Sequence, residues 1–312
     1  MATSKKFDVS ERVDAARSSS RKLRNSQQLE EFKKGQIALW DQDDKRGIPN
    51  AFARAPIFNV TGRGKRREVY TASNKLIFKL PGQGEIRFNG EALNKFDELV
   101  WFQLVWISKM NHNNSFSIRP AGFLKSLHHS AGGKDYKKLT DSLARLAGTN
   151  IEVHDGKTGV TRNTRLLALY SFSDGNINKD AQITLFTAED DLLSFYADQL
   201  FTLIDFETCI ELGSTIASSL YVFYSSHREP YPMSFETLAG VVGLAYGVAP
   251  EEVKGKTDDQ LRQLRNKRAF NAKQAIVEGL ETLMAKGILT FTVKENLVSV
   301  KRIAAPGRIG LH

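Results

Sequence analysis

Lys267, Asn271 and Gln274 follow one another at intervals of four and three residues, and Lys134, Lys138 and Arg145 at intervals of four and seven. On an α-helix those intervals return to one side. The residue types suit the recognition of bases. An Asn or Gln amide pairs with the adenine edge in a major groove, an Arg guanidinium pairs with guanine, and a Lys ammonium meets phosphate. This is binding chemistry, in which no bond is made or broken.

Such side chains must be carried by helices anchored from behind, and the apolar spacing supplies the anchors. Tyr136, Leu139, Leu143 and Leu146 form one stripe; Ala269, Ala272, Ile276, Leu280 and Leu283 form another. Opposite the first stripe stand Lys134, Lys138, Asp141 and Arg145, with Lys137 and Ser142 beside them. Opposite the second stand Lys267, Asn271 and Gln274, flanked by Arg265 and Arg268. A solvated charged helix face would use the same residue types. Two copies at matching places favour DNA contact.

The surrounding elements also repeat. A helix through Phe96, Leu99, Val100, Leu104 and Ile107 precedes an alternating piece, Ser115–Ile118, and a helix through Phe123–Leu127. The first candidate reading helix follows the Gly132-Gly133 break. Then come Ile151–Val153, a turn at Asp155-Gly156, and a long strand through Leu166, Leu167, Leu169 and Tyr170. In the second half a helix over 213–226 precedes an extended piece, Pro230–Met233, and a helix over Phe235–Leu244 that Ser234 can cap. After a polar insertion from Val248 to Gln260 comes a long helix ending near Lys286-Gly287, then a hairpin across Lys294-Glu295-Asn296.

Helix, short strand, helix, helix, hairpin is the order of a winged helix. The expected class is therefore α+β, with two tandem winged-helix domains over residues 36–200 and 201–303. A flexible basic tail is expected over 1–35, and a short C-terminal tail over 304–312. The hairpins would be wings, meeting the DNA backbone through Lys157, Arg162 and Arg165 in the first and Lys294, Lys301 and Arg302 in the second.

Bulk properties agree with a nucleic-acid partner. The 312 residues carry 44 Lys and Arg against 35 Asp and Glu, a net charge of +9. Apolar runs are too short to cross a bilayer, and a single cysteine excludes an internal disulfide. A cytoplasmic protein with no membrane partner is expected.

Catalytic signals are poor. Gly132-Gly133-Lys134 lacks P-loop spacing and is followed by Asp135, leaving no hydroxyl for magnesium. The six histidines show no metal-ligand spacing, and adjacent His128-His129 do not form the separated pair that a nicking enzyme needs. The expectation is no catalytic residue, no metal and no cofactor. Gln182-Ile183-Thr184-Leu185-Phe186 resembles short peptides that dock on the replication sliding clamp through Gln182, Leu185 and Phe186, but it reads more readily as an alternating strand.

Four stretches, in order, resemble the TrfA family of plasmid replication initiators over Trp40 to Arg302. They are Ile48–Arg54 with Ile57-Phe58; Ile86–Gly90 leading to Asp97 and Trp101; Gly132–Tyr136 running into Leu143–Leu146; and Phe223–His227 with Pro230. The resemblance implies binding to directly repeated origin DNA (iterons), opening of adjacent AT-rich DNA and plasmid copy control. It also implies contact with the host helicase, exchange between monomer and dimer, and a bacterial, plasmid-associated setting; the host initiator and, through the Gln182–Phe186 peptide, the sliding clamp are further candidate partners. A transcriptional repressor remains the alternative, since winged helices serve both. An origin-nicking enzyme is a more distant one.

Overall fold

A computed structural model of the chain describes residues 44–59, 67–80, 84–110, 115–156, 159–172, 201–213, 215–248 and 252–303, with the backbone of 183–186. The two expected tails, Lys157 and Gln182 lie outside these residues.

In the first half, strand β1 (Lys45–Pro49), helix α1 (Asn50–Ala53) and strand β2 (Phe58–Asn59) come first. Strands β3 (Val69–Tyr70), β4 (Leu76–Lys79), β5 (Glu85–Glu91) and β6 (Leu93–Asn94) follow. Then come helix α2 (Lys95–Met110), strand β7 (Ser115–Ile118), and helices α3 (Pro120–Ser126) and α4 (Gly133–Gly148). Strands β8 (Asn150–His154), β9 (Thr161–Arg165), β10 (Leu169–Phe172) and β11 (Ile183–Phe186) complete the half. Helix α3 opens on Pro120, where the missing N–H is no loss. In α4 the leucine stripe is fully buried, as its spacing predicts.

The second half contains strand β12 (Phe201–Asp205), helices α5 (Phe206–Leu212) and α6 (Ile216–Ser225), strand β13 (Met233–Ser234) and helix α7 (Phe235–Val241). The long helix α8 (Asp258–Ala285) leads to the hairpin β14 (Leu289–Lys294) and β15 (Leu297–Arg302). Each of α5 to α8 starts on a side-chain cap that accepts a backbone N–H: Asp205 from Thr208, Thr215 from Ser218, Ser234 from Thr237 and Thr257 from Gln260. In α8 the Gln260 side chain also accepts the Thr257 N–H at 3.0 Å, closing a capping box, and Asp258 and Asp259 stand in the dipole-favoured first turn.

Strand β5 pairs with β3, β4 and β8, and β8 pairs with β9, all antiparallel. Strands β10, β11 and β7 make a separate antiparallel sheet, and β13, β15 and β14 another. The architecture is α+β.

Two sequence expectations change. The long strand through Leu166 to Tyr170 is broken: β9 stops at Arg165, Leu166 and Leu167 are buried, and the Trp101 indole N–H donates to the Leu166 carbonyl at 3.1 Å. That bond takes the carbonyl away from any strand ladder, and the chain re-enters a different sheet as β10. The helix of the second half is also shorter than 213–226 and is preceded by α5. Gly213, at φ +58°, separates the two helices.

The two halves share structure. Strand β1 pairs antiparallel with β12 from Lys45↔Asp205 to Pro49↔Phe201, and the Lys45 ammonium lies 2.8 Å from the Asp205 carboxylate. The Arg46 guanidinium is buried between the Trp106 and Phe206 rings, 4.3 and 4.2 Å from their centroids, and donates to Gln103 Oε1. Beside this joint, Trp101 lies 5.9 Å from each of Phe52 and Phe58. These aromatic groups belong to the core that holds α2 and, beyond it, α4.

Candidate nucleic-acid interface

The exposed side of α8 is set by its buried side. Ala272, Ile276, Gly279, Leu280 and Leu283 are buried against the domain. At 100° per residue, Lys267, Asn271 and Gln274 fall within about a quarter of the circumference on the far side. All three are exposed. Gln274 donates to Glu278 Oε1 at 2.9 Å, which steadies its amide on the surface. Arg265 is exposed as well.

Arg268 is differently employed. Its guanidinium is held by Glu252 through two bonds of 2.6 Å and donates to the Gly247 carbonyl at 3.0 Å. The neighbouring Glu252 carboxylate raises its pKa above the ordinary Arg value. Arg268 therefore pins the segment before α8 onto the helix instead of presenting itself outward.

That segment contributes two side chains not singled out from the sequence, Lys254 and Lys256. Lys254, Lys256, Gln260, Gln263, Leu264 and Lys267 line a shallow groove along the first turns of α8. Lys254 and Lys256 lie in a stretch without helical period, so spacing gave no means of assigning them to this face.

On α4 the exposed cations are Lys134, Lys137 and Lys138. Lys137 sits 3.8 Å from Asp141, a long exposed pair. The Lys138 ammonium lies 3.8 Å from the Phe96 ring centroid, and partial desolvation there lowers its pKa from the ordinary value. Two expected contacts on this helix are corrected. Ser142 is 0% exposed, lying on the leucine side of the helix. Arg145 turns inward to the buried carboxylate of Asp97, its Nη2 2.7 Å from Oδ1 and its Nε 3.1 Å from Oδ2. An arginine is read as a surface cation until a buried acid from another helix claims it.

The hairpins are similarly divided. In the first, Arg165 is exposed and Arg162 half-buried. In the second, Lys294 and Lys301 are exposed. Arg302 is corrected: its Nη1 donates to the carbonyls of Ser225 and His227 at 3.2 and 3.0 Å, tying the last strand to the end of α6. Leu185 and Phe186 belong to β11, whose backbone pairs on one edge with β10 and on the other with β7. A strand held on both edges departs from the extended, accessible peptide that clamp docking needs.

Among the described residues no group of three or more His, Cys, Asp or Glu is placed to hold a metal ion, and no helix is long and apolar enough to cross a membrane.

The fold and this surface define an α+β protein in which helix, short strand, helix, helix and hairpin recur, each copy carrying exposed cationic or amide side chains on its last helix. The chain belongs to the TrfA family: the sequence pattern of the family described as TrfA protein matches residues 3–271. That match begins before Trp40, where the sequence resemblance starts, and stops within α8. The chain is 27% identical over 243 residues to the plasmid replication initiator protein TrfA of Escherichia coli, a match covering 76% of this chain and 61% of that one. It thus spans about three fifths of the length of this curated relative. Among solved structures, domains 2 and 3 of RctB are similar at a TM-score of 0.50 and 13% identity, covering 81% of this chain and 98% of that one. A second structure of RctB domains 2–3 gives a TM-score of 0.48 at 14% identity over 80% and 95%. The first likeness identifies a shared fold.

Proposed function

We propose that the chain is a plasmid replication initiator that grips directly repeated origin DNA through two winged-helix units. The supporting observation is the α8 surface: Lys267, Asn271 and Gln274 exposed together on a helix whose opposite side is locked into the core, next to a hairpin exposing Lys294 and Lys301. Helix α8 would enter the major groove and the β14–β15 hairpin would follow the phosphates. The α4 lysines and the β8–β9 hairpin would make the equivalent, more electrostatic contact. Family membership and the similarity to the Escherichia coli initiator support the replication role. Origin opening, recruitment of host helicase, initiator and clamp, and exchange between monomer and dimer extend the same reading.

The proposed action is non-covalent, in a bacterial cytoplasm and at the plasmid. The test is fluorescence anisotropy of the full chain on a fragment carrying the repeats beside its gene, against a shuffled fragment of equal length. Preference for the repeats by at least about a thousandfold is expected of a specific site. Equal binding to both would refute the reading.

A further inference from the structure

Phe270 is 67% exposed, more than any other large apolar side chain among the described residues. Scattered surface apolar residues are normal and need no account, and Val69, Ile77 and Leu169 are of that kind. Phe270 differs in its company. It lies three residues after Lys267, one before Asn271 and four before Gln274, on the outward half of α8. The inward half is already filled by Ala272, Ile276, Leu280 and Leu283. The ring therefore cannot fold back into the core, and it stands in water between a cation and two amides.

A duplex offers a complement to that arrangement. In the major groove an A·T pair presents adenine N6 and N7 beside the C5-methyl of thymine. An amide answers the first and an apolar surface the second, while lysine meets the flanking phosphate. We infer that Phe270 is a specificity-determining residue that covers thymine methyl groups of the DNA site, alongside amide contacts to adenine from Asn271 and Gln274. This rests on the DNA-binding reading above and adds a base preference to it.

The experiment uses the full chain and one repeat-bearing fragment, amplified either with thymidine or with deoxyuridine triphosphate, so that the two probes differ only in the methyl groups. Wild type is expected to bind the uracil probe about fourfold more weakly for each methyl that the ring covers. Phe270→Ala is expected to bind the thymine probe more weakly than wild type does, and to show a clearly smaller difference between probes. Phe270→Leu should recover part of the discrimination. An unchanged unfolding midpoint for Phe270→Ala separates this effect from misfolding.

Equal discrimination by wild type and Phe270→Ala would overturn the inference. So would a Phe270→Ala variant that binds DNA normally but loses self-association in sedimentation without DNA, since the ring would then be covered by a second copy. Failure of the DNA reading itself is distinct: wild type would then show no preference for the repeat fragment over a shuffled one.

Discussion

Arg145 and Asp97 form a two-pronged ion pair inside the protein, 2.7 Å at its shortest, with the carboxylate wholly buried and the guanidinium nearly so. Asp97 also accepts the Asn94 N–H at 2.9 Å and touches Arg67 at 3.3 Å. The pair joins α4 to the first turn of α2, so it aligns the helix that carries the lysines. Removing one partner of a buried pair leaves the other charge unpaired. Arg145→Ala is expected to lower unfolding stability by about 3 kcal/mol, at the low end for such a loss because Arg67 remains. Lys137→Ala, on the exposed side, should change it by no more than about 0.5 kcal/mol. Chemical denaturation measures both. An unchanged midpoint for Arg145→Ala with DNA binding lost would return Arg145 to the interface.

Arg302 and Lys301 are neighbours on β15 with opposite duties. Arg302→Ala should cost about 1–3 kcal/mol of stability, because two carbonyls near the end of α6 lose a charged donor. Lys301→Ala and Lys294→Ala should leave stability alone. Each should make the slope of log K against log salt shallower by about 0.9 for the phosphate it no longer meets. A salt slope unchanged in both lysine variants would remove the hairpin from the interface.

His227 sits at the same junction. Its Nδ1 lies 3.0 Å from the Phe223 carbonyl, and burial, together with the charges of Arg54 and Arg302, holds its pKa below the ordinary value of 6.5. The folded state therefore binds the proton less readily than the unfolded chain. Its contribution to stability is complete above pH 6.5 and is lost as pH falls from there through the depressed folded value. Thermal unfolding between pH 7.5 and 5 should show a steeper loss for wild type than for His227→Gln. Parallel curves would contradict this assignment.

Gly243 shows how closely the halves approach. It adopts φ +74°, and a Cβ there would stand 2.1 Å from Asn59 Oδ1. Gly243→Ala should destabilise by about 1–2 kcal/mol from backbone strain alone, with a further loss from displacing Asn59. A melting temperature equal to wild type would contradict both the left-handed backbone at Gly243 and its close approach to Asn59.

Local patterns were legible from the sequence because they are set by near neighbours. The leucine stripe of α4, the Ser234 cap and the β14–β15 hairpin each depend on residues a few positions apart. Pairings across long separations were not. Nothing in Lys45–Pro49 announces Phe201–Asp205 as its partner, and nothing near Leu166 shows that the Trp101 indole will take its carbonyl. The site divides the same way. Spacing placed Lys267, Asn271 and Gln274 on the outward face, but Arg145, Arg268 and Arg302 are claimed by partners distant in sequence, and Ser142 shares the buried side of its helix with Leu139, Leu143 and Leu146. The stretches Ile48–Arg54 and Phe223–His227, which carry part of the family resemblance, meet in the fold. There Arg54 donates to the Ser226 carbonyl at 2.7 Å, so that part of the resemblance records a joint between the halves.

The central claim is that α8 reads bases, and binding of Asn271→Ala tests it most directly. Affinity of the full chain for the repeat fragment and for a shuffled fragment should be measured at the same salt concentration, with Gln274→Ala beside it. The account predicts a loss of about 1–3 kcal/mol on the repeats, with little change on the shuffled DNA and no change in salt slope. Both variants binding the repeats as tightly as wild type, or losing the same factor on both fragments, would contradict it.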